Sequence, residues 1–173
     1  MICIKQCVGT HIILQDQFLP EFGTGVPLRV LLGASGVAAL AVQDSSRLED
    51  SGAANLHRPE SDALDPSLPI LALVIYRKTR SDCDLITTHV QAIAVRPASR
   101  RRGLGQQLVS EALKDSRGDD RRAAIDGAPK IRLRAEGYED NGSREFWQRC
   151  VAGLQVSSRR IGCRRGWFGE AQL

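Results

Sequence analysis

Residues 92–108, AIAVRPASRRRGLGQQL, constrain the fold of this chain more than any other stretch, because the hydrophobic period changes there from two to 3.6. The β-rich run at 85–95 reads as a strand. Beyond it, Leu104, Leu108, Val109, Ala112 and Leu113 follow the i, i+4, i+5, i+8, i+9 spacing of an amphipathic helix. Pro97 interrupts the ladder of the strand, so the chain turns out of the sheet and enters a helix near Gly103. A helix directly after a central strand makes the fold α/β or α+β.

The rest of the chain is consistent with that. Residues 2–8 read as a short first strand, 9–32 as a mixed region with helix-like spacing of Phe18, Leu19 and Phe22, and 37–42 as a small-residue strand. Strands follow at 69–79 and 85–95, joined by a turn at 82–84. After the helix, a polar stretch at 116–128 precedes a strand at 130–134. A second helix is marked by Phe146, Trp147, Cys150 and Val151, with Ser143 its expected N-cap, and closing strands are expected at 154–160 and 163–168. The length of 173 residues suits one domain, 1–173, and 42% apolar with 25% charged residues excludes wholesale disorder. Residues 45–68, rich in Ser, Asp, Glu, Pro and Gly, read as a mobile loop.

No run reaches the 18 or more apolar residues of a membrane span, and residues 1–15 lack the pattern of a signal peptide. Five cysteines without a C-x-x-C pair argue against a zinc site or disulfide framework, so no metal and a cytoplasmic setting are expected. The net charge of +4 is mild, but Arg96, Arg100, Arg101 and Arg102 form one cluster and Arg159, Arg160, Arg164 and Arg165 another. Such clusters hold phosphates or simply solubilise a face.

The junction itself favours phosphate. A helix start offers unpaired N–H groups and a positive dipole end. Gly103 and Gly105 leave room for an anion to reach the backbone, and three arginines precede them. A P-loop lacks its lysine here, and a Rossmann fingerprint lacks its third glycine because position 108 is Leu. The alternative is a tight turn beneath a basic patch.

Ala94, Val95, Pro97, Arg100, Gly103, Gly105 and Leu108 together resemble the acyl-coenzyme A loop of the GNAT superfamily of N-acetyltransferases. The resemblance implies a mixed, mostly antiparallel sheet of about six to seven strands flanked by helices, with acetyl-CoA as co-substrate. It implies that the backbone of Ile93, Ala94 and Val95 meets the pantetheine arm. Arg100, Arg101, Arg102, Gly103, Leu104, Gly105 and Gln106 would then hold the pyrophosphate. The stretch 138–154 is similar to the family's second cofactor segment and adds Asn141, Phe146 and Trp147. It departs from the family at Trp147, where Tyr is usual, and in spacing, since aligning Phe146–Trp147 puts Asp140 at the Asn position.

Acetyl transfer to an amine needs a base for the substrate ammonium, donors for the oxyanion and a proton for the leaving thiolate. His89 lies six residues before Val95, on the strand face shared with Gln91 and Ile93, and is the candidate base. A bracing histidine bonded to Thr87 or Gln91 is the competing reading. The family resemblance assigns the oxyanion to a strand N–H between Ile93 and Val95. An indole N–H is too weak an acid to replace the usual Tyr, which leaves Cys150, Tyr138 or water as the proton source. Three functions stay open: an N-acetyltransferase acting on a small-molecule or peptide amine by direct attack in a ternary complex, a catalytically weak acyl-CoA-binding module, and a basic nucleic-acid-binding module. The last is disfavoured because the first cluster has no interleaved aromatics. No membrane partner is expected, and the oligomeric state stays open, a dimer included.

Overall fold

The computed structural model describes residues 2–6, 37–44, 68–81, 85–118, 130–139 and 142–173. Seven strands lie in them: β1 (Ile2–Gln6), β2 (Val37–Asp44), β3 (Ile70–Arg80), β4 (Leu85–Val95), β5 (Lys130–Tyr138), β6 (Gln155–Ile161) and β7 (Arg164–Gln172). Two α-helices accompany them, α1 (Leu104–Gly118) and α2 (Ser143–Cys150), with a 3-10 turn at Pro97–Ser99. The strands form one mixed sheet in the order β1-β2-β3-β4-β5-β7-β6. This is the expected GNAT-like α+β architecture.

β4 pairs parallel with β5, and α1 is the crossover between them; a parallel pair needs one because a tight turn cannot join it. β1–β2, β5–β7 and β6–β7 are antiparallel. Contacts gather into two compact units, residues 1–75 with 92–108, and residues 76–91 with 109–173. The chain passes between them within β3, β4 and α1.

In the first unit, Ala39 to Val42 and Ile70 to Ile75 are buried. The unbroken apolar run of β3 is what a strand covered on both faces requires. Gln43, also buried, donates from Nε2 to the Leu68 carbonyl at 3.3 Å, which satisfies an otherwise costly amide.

In the second unit, Ile131, Leu133 and Ala135 are sealed from solvent, with Trp167 fully buried nearby in sequence register on β7. On β4 the alternation is clean: Ile86, Thr88 and Val90 are buried while Thr87, His89 and Gln91 are half-buried. Thr88 donates to Ser116 Oγ on α1 at 2.8 Å, so the even face of β4 is the one beneath that helix. Ser116 returns its proton to the Ala112 carbonyl at 2.8 Å. Tyr76 Oη donates to Asp115 at 2.5 Å, and Lys78 pairs with the same carboxylate at 2.9 Å.

Several element boundaries differ from the sequence reading. α1 runs on to Gly118, three residues into the stretch read as polar linker, because Ala112 and Ser116 continue its buried stripe. β5 continues past Arg134 to Tyr138, since its ladder with β7 extends to Tyr138↔Gly166. Ser143 is not the N-cap of α2. Gly142, at φ +65°, takes that position without a side-chain cap, and the Ser143 hydroxyl donates to the Tyr138 carbonyl at 3.3 Å. The same hydroxyl accepts from Trp167 Nε1 at 2.9 Å. Gly137 is required beside it, because a Cβ there would stand 2.6 Å from Ser143 Oγ. The expected elements within 9–32, the turn at 82–84 and the loop at 45–67 lie outside the described residues; Leu68 itself is buried.

Candidate active site

The junction after β4 is built mainly from backbone. Ser99 N–H donates to the Arg96 carbonyl at 2.8 Å and Arg100 N–H to the Pro97 carbonyl at 3.3 Å, closing the 3-10 turn. Arg96 ties the end of the strand down twice: its amide donates to the Leu71 carbonyl at 2.9 Å and its Nε to the Ile70 carbonyl at 2.6 Å. Arg100 Nε reaches back to the Val95 carbonyl at 3.2 Å. Two arginines of the cluster therefore shape the loop.

The remaining residues leave backbone donors open. Arg101 stands at φ +61° and Gly103 at φ +77°, left-handed positions on either side of one that is not. For a non-glycine residue this conformation costs about 1–2 kcal/mol, and strain of that kind concentrates at functional loops. Such turns point successive amides toward one spot. The first helical bond closes from the Gln107 amide onto the Gly103 carbonyl at 3.0 Å, so the amides of Gly103 to Gln106 have no helical acceptor. Gly105 is buried and Gly103 exposed, with nothing within 4 Å of where a Gly103 Cβ would stand. Arg101 and Arg102 are exposed and make no ion pair among the described residues. Open amides, a helix dipole and two free guanidiniums suit a pyrophosphate.

β4 brings a second feature. Its ladder with β5 ends at Val90↔Ala135, although β4 continues to Val95 and β5 to Tyr138. The backbone of Gln91 to Val95, including Ile93, Ala94 and Val95, therefore has no ladder partner on β5.

The half-buried face of β4 carries His89 opposite Arg134 in register. Burial lowers the His89 pKa below its ordinary 6.5; Glu136 opposes this shift, and Arg134 and Arg77 reinforce it. The ring is thus neutral at pH 7. Its Nε2 is closed to solvent without a hydrogen-bond partner among the described residues, and so is Oε1 of Gln91. A bracing bond between these two atoms is not made. Orphaned buried acceptors are rare and call for an explanation.

β5 and β7 complete this face. Glu170 takes Arg134 Nε at 2.7 Å and Arg132 Nε at 3.3 Å, and Glu136 pairs with Arg159 at 3.5 Å. Arg134 and Glu136 escaped the sequence reading. Period-two alternation along 130–138 was the available signal, since it puts Arg132, Arg134 and Glu136 on one face.

The other candidates sit on or before α2. Trp147 is 2% exposed and Phe146 half-buried, their rings edge-to-face with centroids 5.4 Å apart. Cys150 ends the helix half-buried, and burial raises its thiol pKa above the ordinary 9.0 against a smaller opposing effect of Arg149. Tyr138 ends β5 beneath the Arg164 guanidinium, 4.4 Å from the ring centroid. Asn141 and Asp140 lie outside the described residues, and among those that are described no His, Cys, Asp or Glu cluster is arranged to hold a metal. No described helix is long and apolar enough to cross a membrane.

Residues 68–150 match the acetyltransferase (GNAT) family. In structure the chain is similar to Arabidopsis thaliana NAA60 in complex with acetyl-CoA, with TM-score 0.66 and 13% identity over 100% of this chain and 99% of that one. It is similar to an IAA acetyltransferase from Bacillus cereus, with TM-score 0.62 and 12% identity over 100% of both chains. A Bacillus subtilis acetyltransferase in complex with CoA gives TM-score 0.59 and 15% identity over 100% and 99%. At these identities the likeness speaks for the fold alone. No curated protein sequence matches the chain.

Proposed function

Residues 68–150 belong to the GNAT acetyltransferase family, and from that premise we propose that this chain is an N-acetyltransferase that takes its acetyl group from acetyl-CoA and delivers it to a primary amine. The observation that carries the reading is the run of open amides from Gly103 to Gln106 behind two exposed, unpaired guanidiniums. Acetyl-CoA, when bound, supplies a thioester whose carbonyl carbon is the electrophile. Gly103, Leu104, Gly105 and Gln106 hold its pyrophosphate through their N–H groups, with Arg101 and Arg102 adding charge; Arg100 shapes the loop.

Neutral His89 takes the proton from the incoming ammonium, which leaves the amine lone pair free to attack. As the C–N bond forms and the C–S bond breaks, a backbone N–H of Ile93 to Val95 steadies the oxyanion. Asn141, Phe146 and Trp147 are assigned to the cofactor side by resemblance, Trp147 from within the core. The departing thiolate takes its proton from Cys150, Tyr138 or water, and the second proton that the nitrogen sheds as the amide forms restores that donor. A Cys150 thiol raised by burial stays protonated at pH 7, which keeps it available as a donor.

A catalytically weak acyl-CoA-binding module is favoured by one observation, the buried indole of Trp147 where the family carries a phenol. Titration with acetyl-CoA, followed by thiol release over a panel of an amino-terminal peptide, a lysine peptide, spermidine and an aminoglycoside, separates the two. Amine-dependent release supports the enzyme. Binding with no release over the panel leaves the module, and absence of binding removes both.

A further inference from the structure

The second arginine cluster has no part in the reading above. β6 and β7 form a hairpin whose turn, Gly162–Cys163, is opened by Gly162 at φ +61°. In its ladder Arg160 lies directly opposite Arg165, and Arg159 opposite Gly166. Directly opposed residues stand about 4.5–5.5 Å apart at Cα, so two guanidiniums share one patch. Like charges placed that way oppose the ladder. Neither Arg160 nor Arg165 makes an ion pair among the described residues, and both are exposed.

Their neighbours are arranged differently. Arg159 is engaged with Glu136 at 3.5 Å and lies over Phe168, 5.9 Å from the ring centroid. Arg164 stacks on Tyr138. Arg160 and Arg165 line an open cleft of about 340 Å³ with Glu139, Ser158, Gly166 and the already engaged Arg159. Glu139 is itself occupied, accepting from the Ser158 hydroxyl at 3.0 Å.

Charges on an edge strand often serve only to block edge-to-edge pairing. β7 pairs with β5 only as far as Gly166, so Arg165 stands beyond that ladder and meets β6 alone. One charge on this open end would be enough to block edge pairing, whereas two guanidiniums set directly opposite each other work against their own ladder. The geometry points to a docking surface in which Arg160 and Arg165 clasp a side-chain carboxylate of a short acidic polypeptide segment. Guanidinium forks bind carboxylates bidentately, and two of them across one ladder hold a single acid from both sides. Nucleic acid fits less well. Binding a single strand wants open aromatic faces beside the cations, and the rings of Tyr138 and Phe168 already lie under Arg164 and Arg159. Glu139 and Glu136 also interrupt the basic track a phosphate backbone would follow.

The test uses the full chain and three labelled probes of equal length: a glutamate-glycine decapeptide, a lysine-glycine decapeptide and a single-stranded decauridylate. The glutamate peptide is expected to bind saturably at low salt and several-fold more weakly at 0.2 M. R160E/R165E should weaken it about tenfold or more, and R160K/R165K by an intermediate factor because the fork is lost while the charge stays. R117E/K130E changes the net charge equally at two other exposed positions and should leave affinity within about twofold, since screening confines the effect of a charge to its surroundings. Unchanged circular dichroism and acetyl-CoA binding certify that each variant is folded. No saturable binding of the glutamate peptide, or equal losses in R160E/R165E and R117E/K130E, overturns the proposal. Tighter binding of the decauridylate, lost in the same hairpin variant, overturns it in favour of a nucleic-acid surface.

Discussion

Arg100, Arg101 and Arg102 stand before a helix whose first amides are open, whereas Arg159, Arg160, Arg164 and Arg165 stand on a hairpin whose ladder engages the strand amides. As strings of residues the two clusters look alike. In the fold, the first is a loop shaped by backbone and trimmed by side chains. Arg96 and Arg100 spend their Nε donors on carbonyls of their own unit, and only Arg101 and Arg102 face outward without a partner. The second is made by side chains alone, with guanidiniums stacked on Phe168 and Tyr138 or opposed across strands. The half-buried face of β4 and β5 is likewise a side-chain construction, centred on His89. A backbone site should tolerate loss of single charges and fail when its conformation changes. A side-chain site should fail when one functional group goes.

The largest expected effect is therefore at His89. His89→Gln should keep acetyl-CoA binding and lower turnover by about 10²–10⁴-fold, the usual range for a lost general base. Wild-type kcat/KM should rise with pH through a midpoint below the ordinary 6.5, because burial lowers the His89 pKa. If the two pH profiles coincide and turnover stays within a few-fold, His89 is a brace. Stability carries the same sign. Protons bind the unfolded histidine near its ordinary 6.5 but the folded one only at lower pH, so acid favours unfolding from about pH 6.5 downward. Part of that acid sensitivity should vanish in His89→Gln when thermal midpoints are compared between pH 7.5 and 5.

Next comes the backbone itself. Gly103→Glu forces a side chain into a left-handed position and sets a carboxylate before the open amides. The conformational cost of about 1–2 kcal/mol, with charge repulsion added, should weaken acetyl-CoA at least tenfold by calorimetry. Wild-type affinity in this variant would remove the loop from the site. Gly103→Ala, which keeps the strain but not the charge, sharpens the comparison.

Arg101→Gln and Arg102→Gln should each cost less, about three- to tenfold in acetyl-CoA affinity, with the loss shrinking at high salt. A hundredfold loss from either one would mean that side chains, not amides, build this site too. The smallest effect expected is on the two described free cysteines. Exposed Cys163 should react with iodoacetamide several-fold faster than half-buried Cys150, whose raised pKa leaves less thiolate at pH 8. Equal rates measured by mass spectrometry would contradict the burial assigned to α2.

Much of this molecule was legible without coordinates. β4 spans the residues that its β-branched run indicated, and α1 begins one residue after Gly103, because period and turn chemistry are local properties. The open amides could be anticipated for the same reason: every helix start leaves them, and glycine uncovers them. The ends of β5 and α1 were less legible, since ladder pairing and a buried stripe extend an element past its local propensity. Ser143 looked like an N-cap and instead links Tyr138 to Trp167, a role that depends on Gly137 leaving room between strand and helix.

The sequence by itself determined the strand-to-helix junction, the places of Gly103 and Gly105 at the helix start, and the face of β4 that His89 shares with Gln91, all of which follow from spacing along one segment. Tertiary structure alone decided that Glu136 and Arg134 flank His89, that Arg96 and Arg100 are tied to carbonyls while Arg101 and Arg102 are not, and that Arg160 meets Arg165 across a ladder. Those outcomes depend on register between segments distant in the chain. Register is set by the summed burial and pairing of whole strands, which no local pattern contains.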